Sequence, residues 1–282
     1  MSGSVRPNHP LLPPPQGAAP PPQRAAPAPG ASGPAWPSYT GTAELIGKSS
    51  AGVSVYVDPT LGDQGRQSAQ QLLAAADGVV RQNNAIFAID GGPVDVIVFA
   101  LNGRTDGTGG ADHDGCDFST GNAIEVDASF GSPERVVALF EAELSECAMN
   151  GRLCGLSTGE ALSRWCAAVV GDNALADFAT APQWAQDGMA NWVDQTEPTD
   201  TDPDSVGCGM AFLSWLISSG HKLTEIARAM VKLGDAGTLA ALYAELTGDA
   251  AGDAWPGFKA AVDALAGGVT SDDPFNALAQ AT

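Results

Sequence analysis

The sequence predicts an α+β fold in which a small mixed sheet with helices is followed by an all-helical half. Three observations lead there. Val53, Val55 and Val57 alternate with polar neighbours, the period of a half-buried strand, and PVDVIVFAL at 93–101 is the continuous apolar run of a buried one. Strand signals stop before residue 156, after which only helix-length segments recur. Of the 282 residues, 44% are hydrophobic, enough to build one sizeable core or two small ones.

Residues 1–40 read as a disordered Pro/Ala-rich tail, because twelve of the chain's 20 prolines lie in the first 37 positions and such a segment cannot bury enough surface to offset the entropy of ordering it. PPPQ and PPPQR within it could bind a protein partner that recognises polyproline, although a flexible spacer is the simpler account. The folded domain is expected over 41–268, with the sheet and a central helix in 52–150, the helical half in 151–268, and a flexible tail at 269–282.

Within the domain, VSVYVD is the first strand, closed by Asp58-Pro59, and a helix starts near Gln67 with Leu72, Leu73, Val79 and Val80 among its apolar positions. After the strand at 93–101 comes a glycine-rich acidic loop, NGRTDGTGGADHDGCDFSTG, and then a third strand in NAIEVDASF. Ser132-Pro133-Glu134 starts the central helix, with a capping residue, a proline at the first helical position and an acid in the first turn. Helices are expected at 158–171, 182–195, 206–219, 222–233, 237–247 and 254–265.

The formal charge of −20 repels phosphate backbones and anionic lipid, so nucleic acid and membrane surfaces are poor partners. No run of 18 apolar residues spans a bilayer. The first residues lack the apolar stretch of a secretory signal, which points to the cytoplasm or to export by a non-standard route. Five cysteines without a CxxC spacing support neither a zinc knuckle nor a thioredoxin-like motif; they fit two disulfides and one thiol, or simply small buried hydrophobes.

The chemistry-bearing stretch is FEAELSECAMNG, which sets Glu141, Glu143 and Glu146 on the central helix. Glu143 and Glu146, three apart, are neighbours on the helix surface, and their repulsion calls for a cation, an arginine, a shared proton or plain hydration. Glu160 opens the next helix, with Arg164 four residues on as an ion-pair partner. Asp187 follows in APQWAQDGMANWVDQ, an acid among Trp184, Met189 and Trp192. ADHDGCDF gathers Asp112, His113, Asp114, Cys116 and Asp117 ahead of the third strand; loop solvation accounts for it, and His113 could supply an imidazole in space.

The order of these parts, with GEALSR and PQWAQDGMANWV following the Glu-bearing helix, resembles the gluzincin branch of the zincin metallopeptidases. That family carries HExxH on its central helix, two zinc-binding histidines around a catalytic glutamate, with a third ligand on a later helix. The resemblance covers about residues 52–265 and implies a zincin-like fold, with Glu143 as the catalytic glutamate and Glu146, Glu160 and Asp187 as metal-ligand candidates. The chain departs from the pattern, since AELSE replaces HExxH: Ala142 and Glu146 stand where the histidines belong. An oxygen-rich set suits Ca, Mn or Mg better than Zn, and tight zinc binding through the central helix is not expected. The leading expectation is thus a metallopeptidase-like protein with a binding or structural role toward a protein or peptide partner, holding a divalent cation or none. The alternative is an active hydrolase with an altered, carboxylate-rich metal site that includes Glu146, Glu160 and a distant residue such as His113.

Overall fold

The structure is a computed structural model that describes residues 33–281. The expected disorder of the tail falls, over 1–32, outside the described residues. The rest is a mixed α+β fold with a five-stranded sheet and eight α-helices among the described residues.

The sheet is built from β1 (Glu44–Lys48), β2 (Val53–Val57), β3 (Val94–Phe99), β4 (Ala111–His113) and β5 (Ala123–Asp127), in the order β1-β2-β3-β5-β4. β2, β3 and β5 run parallel, and β1 and β4 are antiparallel edges. The long helix α1 (Gly62–Phe87) makes the crossover from β2 to β3, and α2 (Pro133–Ala148) follows β5. Strand alternation sorts the two faces. Val53, Val55, Val57, Val94, Val96, Val98, Ile124 and Val126 join Leu72 and Val79 of α1 and Val136, Phe140 and Leu144 of α2 in one core. On the opposite face Ile97, Phe99 and Leu101 pack with Trp36, Tyr39 and Tyr56.

That second cluster moves the expected domain boundary. Residues 36–43 lie across the sheet, with Trp36 edge-on to Tyr56 and Tyr39 tilted against Phe99. The backbone N–H groups of Ser38 and Tyr39 donate to the fully buried carboxylate of Glu125 at 2.9 and 2.6 Å. The sequence hides this anchor because its key acceptor is 86 residues away.

The helical half comprises α3 (Ser157–Val170), α4 (Ala181–Gln186), α5 (Pro203–Ser218), α6 (Leu223–Leu233), α7 (Leu239–Thr247) and α8 (Ala254–Asp263). Its core centres on Trp165, Trp184, Phe212 and Phe258. Five of the six expected helices are found within a few residues of their expected ends; the one expected at 182–195 stops at Gln186. Gly188 and Met189 take φ of 104° and 55°, which ends the helix, and residues 187–202 continue without regular structure. The C-terminal stretch is docked rather than free. Asp272 accepts from Thr180 N, Ala181 N and Arg164, while Asp273 accepts from Ser214 and from the N–H groups of Ala277 and Leu278.

Candidate metal centre

α2 lies between the sheet, α1 and α3, and ten of its sixteen residues are buried. Ser132 occupies the N-cap position, followed by Pro133 and Glu134, although its side chain makes no capping bond. Leu139 is also buried because α2 is covered from several sides.

The register of β4 on β5 sets the site. Ala111 pairs with Val126 and His113 with Ile124; Val126 and Ile124 face the α2 side, and cross-strand partners share a face. His113 therefore points toward α2, while Asp112, paired with Glu125, points to the other face. His113 Nε2 lies 3.0 Å from Glu146 Oε2 and 3.6 Å from Glu143 Oε2. Side-chain exposure is 5% for His113, 11% for Glu143 and 19% for Glu146, so Glu146 is the side open to solvent. One donor atom from each residue falls within 4.8 Å of the others.

Glu160, in the first turn of α3, lies near this group, close enough for its charge to act on Glu143 and for that of Glu146 to act on it. Burial, and then the charges of Glu146, Glu160, Asp112 and Asp200, hold the Glu143 carboxyl well above the usual range. Glu160 is likewise raised, first by burial and then by Glu146, with the charge of Arg164 opposing. Burial lowers the His113 imidazole, but the hydrogen bond and charge of Glu146 outweigh it and leave the pKa raised.

Neither neighbouring arginine forms an ion pair with the cluster. Arg164, the expected partner of Glu160, instead bonds Asp272 at 3.1 Å and the carbonyl of Phe178. Arg152 lies close to Gly234. Asp187 is not brought to the cluster: it is exposed at the C-cap of α4, accepts from Gln183, and raises the pKa of Asp204 instead. The acid that does face the cluster from this segment is Asp200, raised by burial and then by Glu146. Two hydrogen bonds hold its loop to the start of α3, from Ser157 N to the Glu197 carbonyl and from Glu197 N to Ser157 Oγ. Sequence reading missed Asp200 because it lies in a run of Thr, Asp and Pro that looks like an ordinary polar loop. For His113 the available signal was the alternation of Ala111 and His113 in a three-residue edge strand.

The donor set suits a divalent ion. Two ligands of one ion at 2.0–2.4 Å cannot stand more than about 4.8 Å apart, a condition His113, Glu143 and Glu146 meet. The imidazole from β4 also changes the metal argument, since one nitrogen with two or three carboxylates admits Zn and Mn as well as the harder ions. Comparison of the chain with family models, with curated proteins and with solved structures finds no match in any of the three.

Proposed function

We propose that the chain is a cation-binding domain on a zincin-like scaffold, in which His113, Glu143 and Glu146 hold a divalent ion and Glu160 braces Glu146. The observation that carries this reading is the buried convergence of the His113 imidazole with the Glu143 and Glu146 carboxylates, Glu160 nearby, with no Arg or Lys among the described residues ion-paired to any of them. Without a cation, protons must answer that charge. A bound ion replaces them and ties the edge strand β4 to α2 and α3.

The role that follows is binding or structural rather than hydrolytic. In AELSE the glutamate that a metallopeptidase-like protein would use as base, Glu143, is itself a ligand candidate, and His113 and Glu143 are nearly closed off from solvent. The Cys116–Cys154 disulfide suits a protein that works in an oxidising compartment. A melting experiment tests the reading: Mn, Zn or Ca should raise the melting temperature of the parent, because a ligand that binds only the native state stabilises it, and Glu146→Gln should abolish the response. Equal responses of parent and variant would refute it.

A second reading, hydrolysis, is favoured by the partial exposure of Glu146 and by Glu160, which is left over as a base when Glu143 serves as ligand. It requires cation-dependent cleavage of an unstructured peptide that Glu160→Gln abolishes while cation binding persists. Cleavage that survives Glu160→Gln would argue against it.

A further inference from the structure

The loop that follows His113 is tied to the other side of the cation cluster by the single disulfide among the described residues. Cys116, three positions after His113, is bonded to Cys154 in the connection between α2 and α3. Beside the bond, Gly151 N donates to the Cys116 carbonyl at 2.6 Å, and Cys147 Sγ donates to the Gly121 carbonyl at 3.0 Å. The loop itself is a pre-formed unit, because the Asp117 carboxylate accepts from Ser119 N and Thr120 N. What it lacks is a long strand to fix it. β4 has three residues, pairs with β5 alone, and ends at His113.

We infer that the Cys116–Cys154 disulfide is a redox control on the cation site, fixing His113 against Glu143 and Glu146 when closed and releasing the ion when opened. The inference rests on the cation-site reading above. Its chemical basis is the contrast among the cysteines: Cys154 is exposed and Cys116 half-buried, whereas Cys147, Cys166 and Cys208 are sealed in the core. An external dithiol therefore reaches the bonded pair and not the thiols, and the buried thiols cannot take over the exchange. In the reaction one reductant thiolate attacks the exposed Cys154 sulfur and the S–S bond breaks with Cys116 leaving as thiolate. The second reductant thiolate then attacks the mixed disulfide and frees Cys154. Two electrons and two protons end on the cysteine pair, and the reductant departs as its cyclic disulfide.

The consequence is that the chain holds its cation more tightly where disulfides form than among reducing thiols. Hydrogen-bond partners of metal ligands are worth about 10–100-fold in affinity, and the support lost here is expected on that scale.

The test uses the full chain and Mn alone, followed by the resonance signal of the free ion, with circular dichroism recorded on the same samples. The oxidised protein should bind Mn, and the Cys116→Ser/Cys154→Ser variant should bind at least about tenfold more weakly with its dichroism unchanged. Should the variant fail to fold, stepwise reduction of the native protein replaces it: Mn release while the dichroism persists supports the inference, and release only together with unfolding overturns it. Equal affinity in both forms overturns the redox control and leaves the cation site standing. No binding of Mn by the oxidised protein overturns the inference, and if dialysis shows no Zn bound either, the cation site goes with it.

Discussion

Glu141, one turn before Ser145 on α2, offers a prediction whose size follows from the structure. Its side chain is fully buried, and Oε1 accepts from Asn83 Nδ2 and from Ser145 Oγ, both at 3.1 Å. Glu141 Oε2 and Asn83 Oδ1 are buried without partners. A proton on Oε2 removes the cost of a buried, unpartnered carboxylate charge. Burial, opposed by the bonds from Asn83 and Ser145, pushes this carboxyl from 4.5 up to about 8. The folded state thus binds one more proton than the unfolded chain between those values. The contribution to stability is full below pH 4.5 and is lost as pH rises through 8. At about 1.4 kcal/mol per pH unit, the loss accumulated by pH 7 is on the order of 3 kcal/mol. Glu141→Gln supplies the same donor and acceptor without a titrating proton. It should match the parent near pH 4 and exceed its stability by about 3 kcal/mol at pH 7, read from urea unfolding at each pH. Comparing the two proteins cancels the titration of Glu143 and Glu160. A difference that does not change with pH, or a variant less stable than the parent at pH 7, would refute the reasoning.

Asp272→Ala should lower stability by about 3 kcal/mol, because it strands the buried guanidinium of Arg164 and the N–H groups at the start of α4; a change under about 0.5 kcal/mol in urea unfolding would mean the C-terminal stretch is not docked. Deleting residues 1–40 should cost on the order of 2 kcal/mol, since the buried Glu125 carboxylate loses its bonds from Ser38 and Tyr39, and an unchanged melting curve would count against that anchor. Reducing the Cys116–Cys154 bond opens a loop with a sequence separation of 38 and should cost up to about 4 kcal/mol by the chain-entropy relation, again measured by urea unfolding.

Where apolar periodicity decides the structure, the sequence was legible. β2, β3 and β5 announce themselves through their valines and isoleucines, and five of the later helices through their length and apolar spacing. That Glu143 and Glu146 are neighbours was legible for a related reason, since they lie three apart on one helix, and so was the place of Glu160 at the start of the next. What stayed hidden depends on polar bonds between residues far apart in the chain. β4 is too short for alternation to stand out within a glycine-rich loop, so His113 could be named only as a distant donor. Asp187 appeared to continue a helix because the left-handed conformation of Met189 is not written in an ordinary methionine. The segments around residues 36–43 and 271–281 are also tied through Glu125, Asp272 and Asp273, carboxylates that a reading based on hydrophobicity assigns to solvent. Disulfide connectivity among five cysteines is likewise not deducible from their spacing.

The most direct test of the cation centre is equilibrium dialysis of the oxidised full-length protein against Mn and, separately, Zn, with metal content measured per chain for the parent, His113→Ala and Glu146→Gln. The account predicts one ion per parent chain for at least one of the two metals, with that ion lost from both variants while their circular dichroism stays that of the parent. A parent that retains neither metal, or variants that retain as much as the parent, would contradict it.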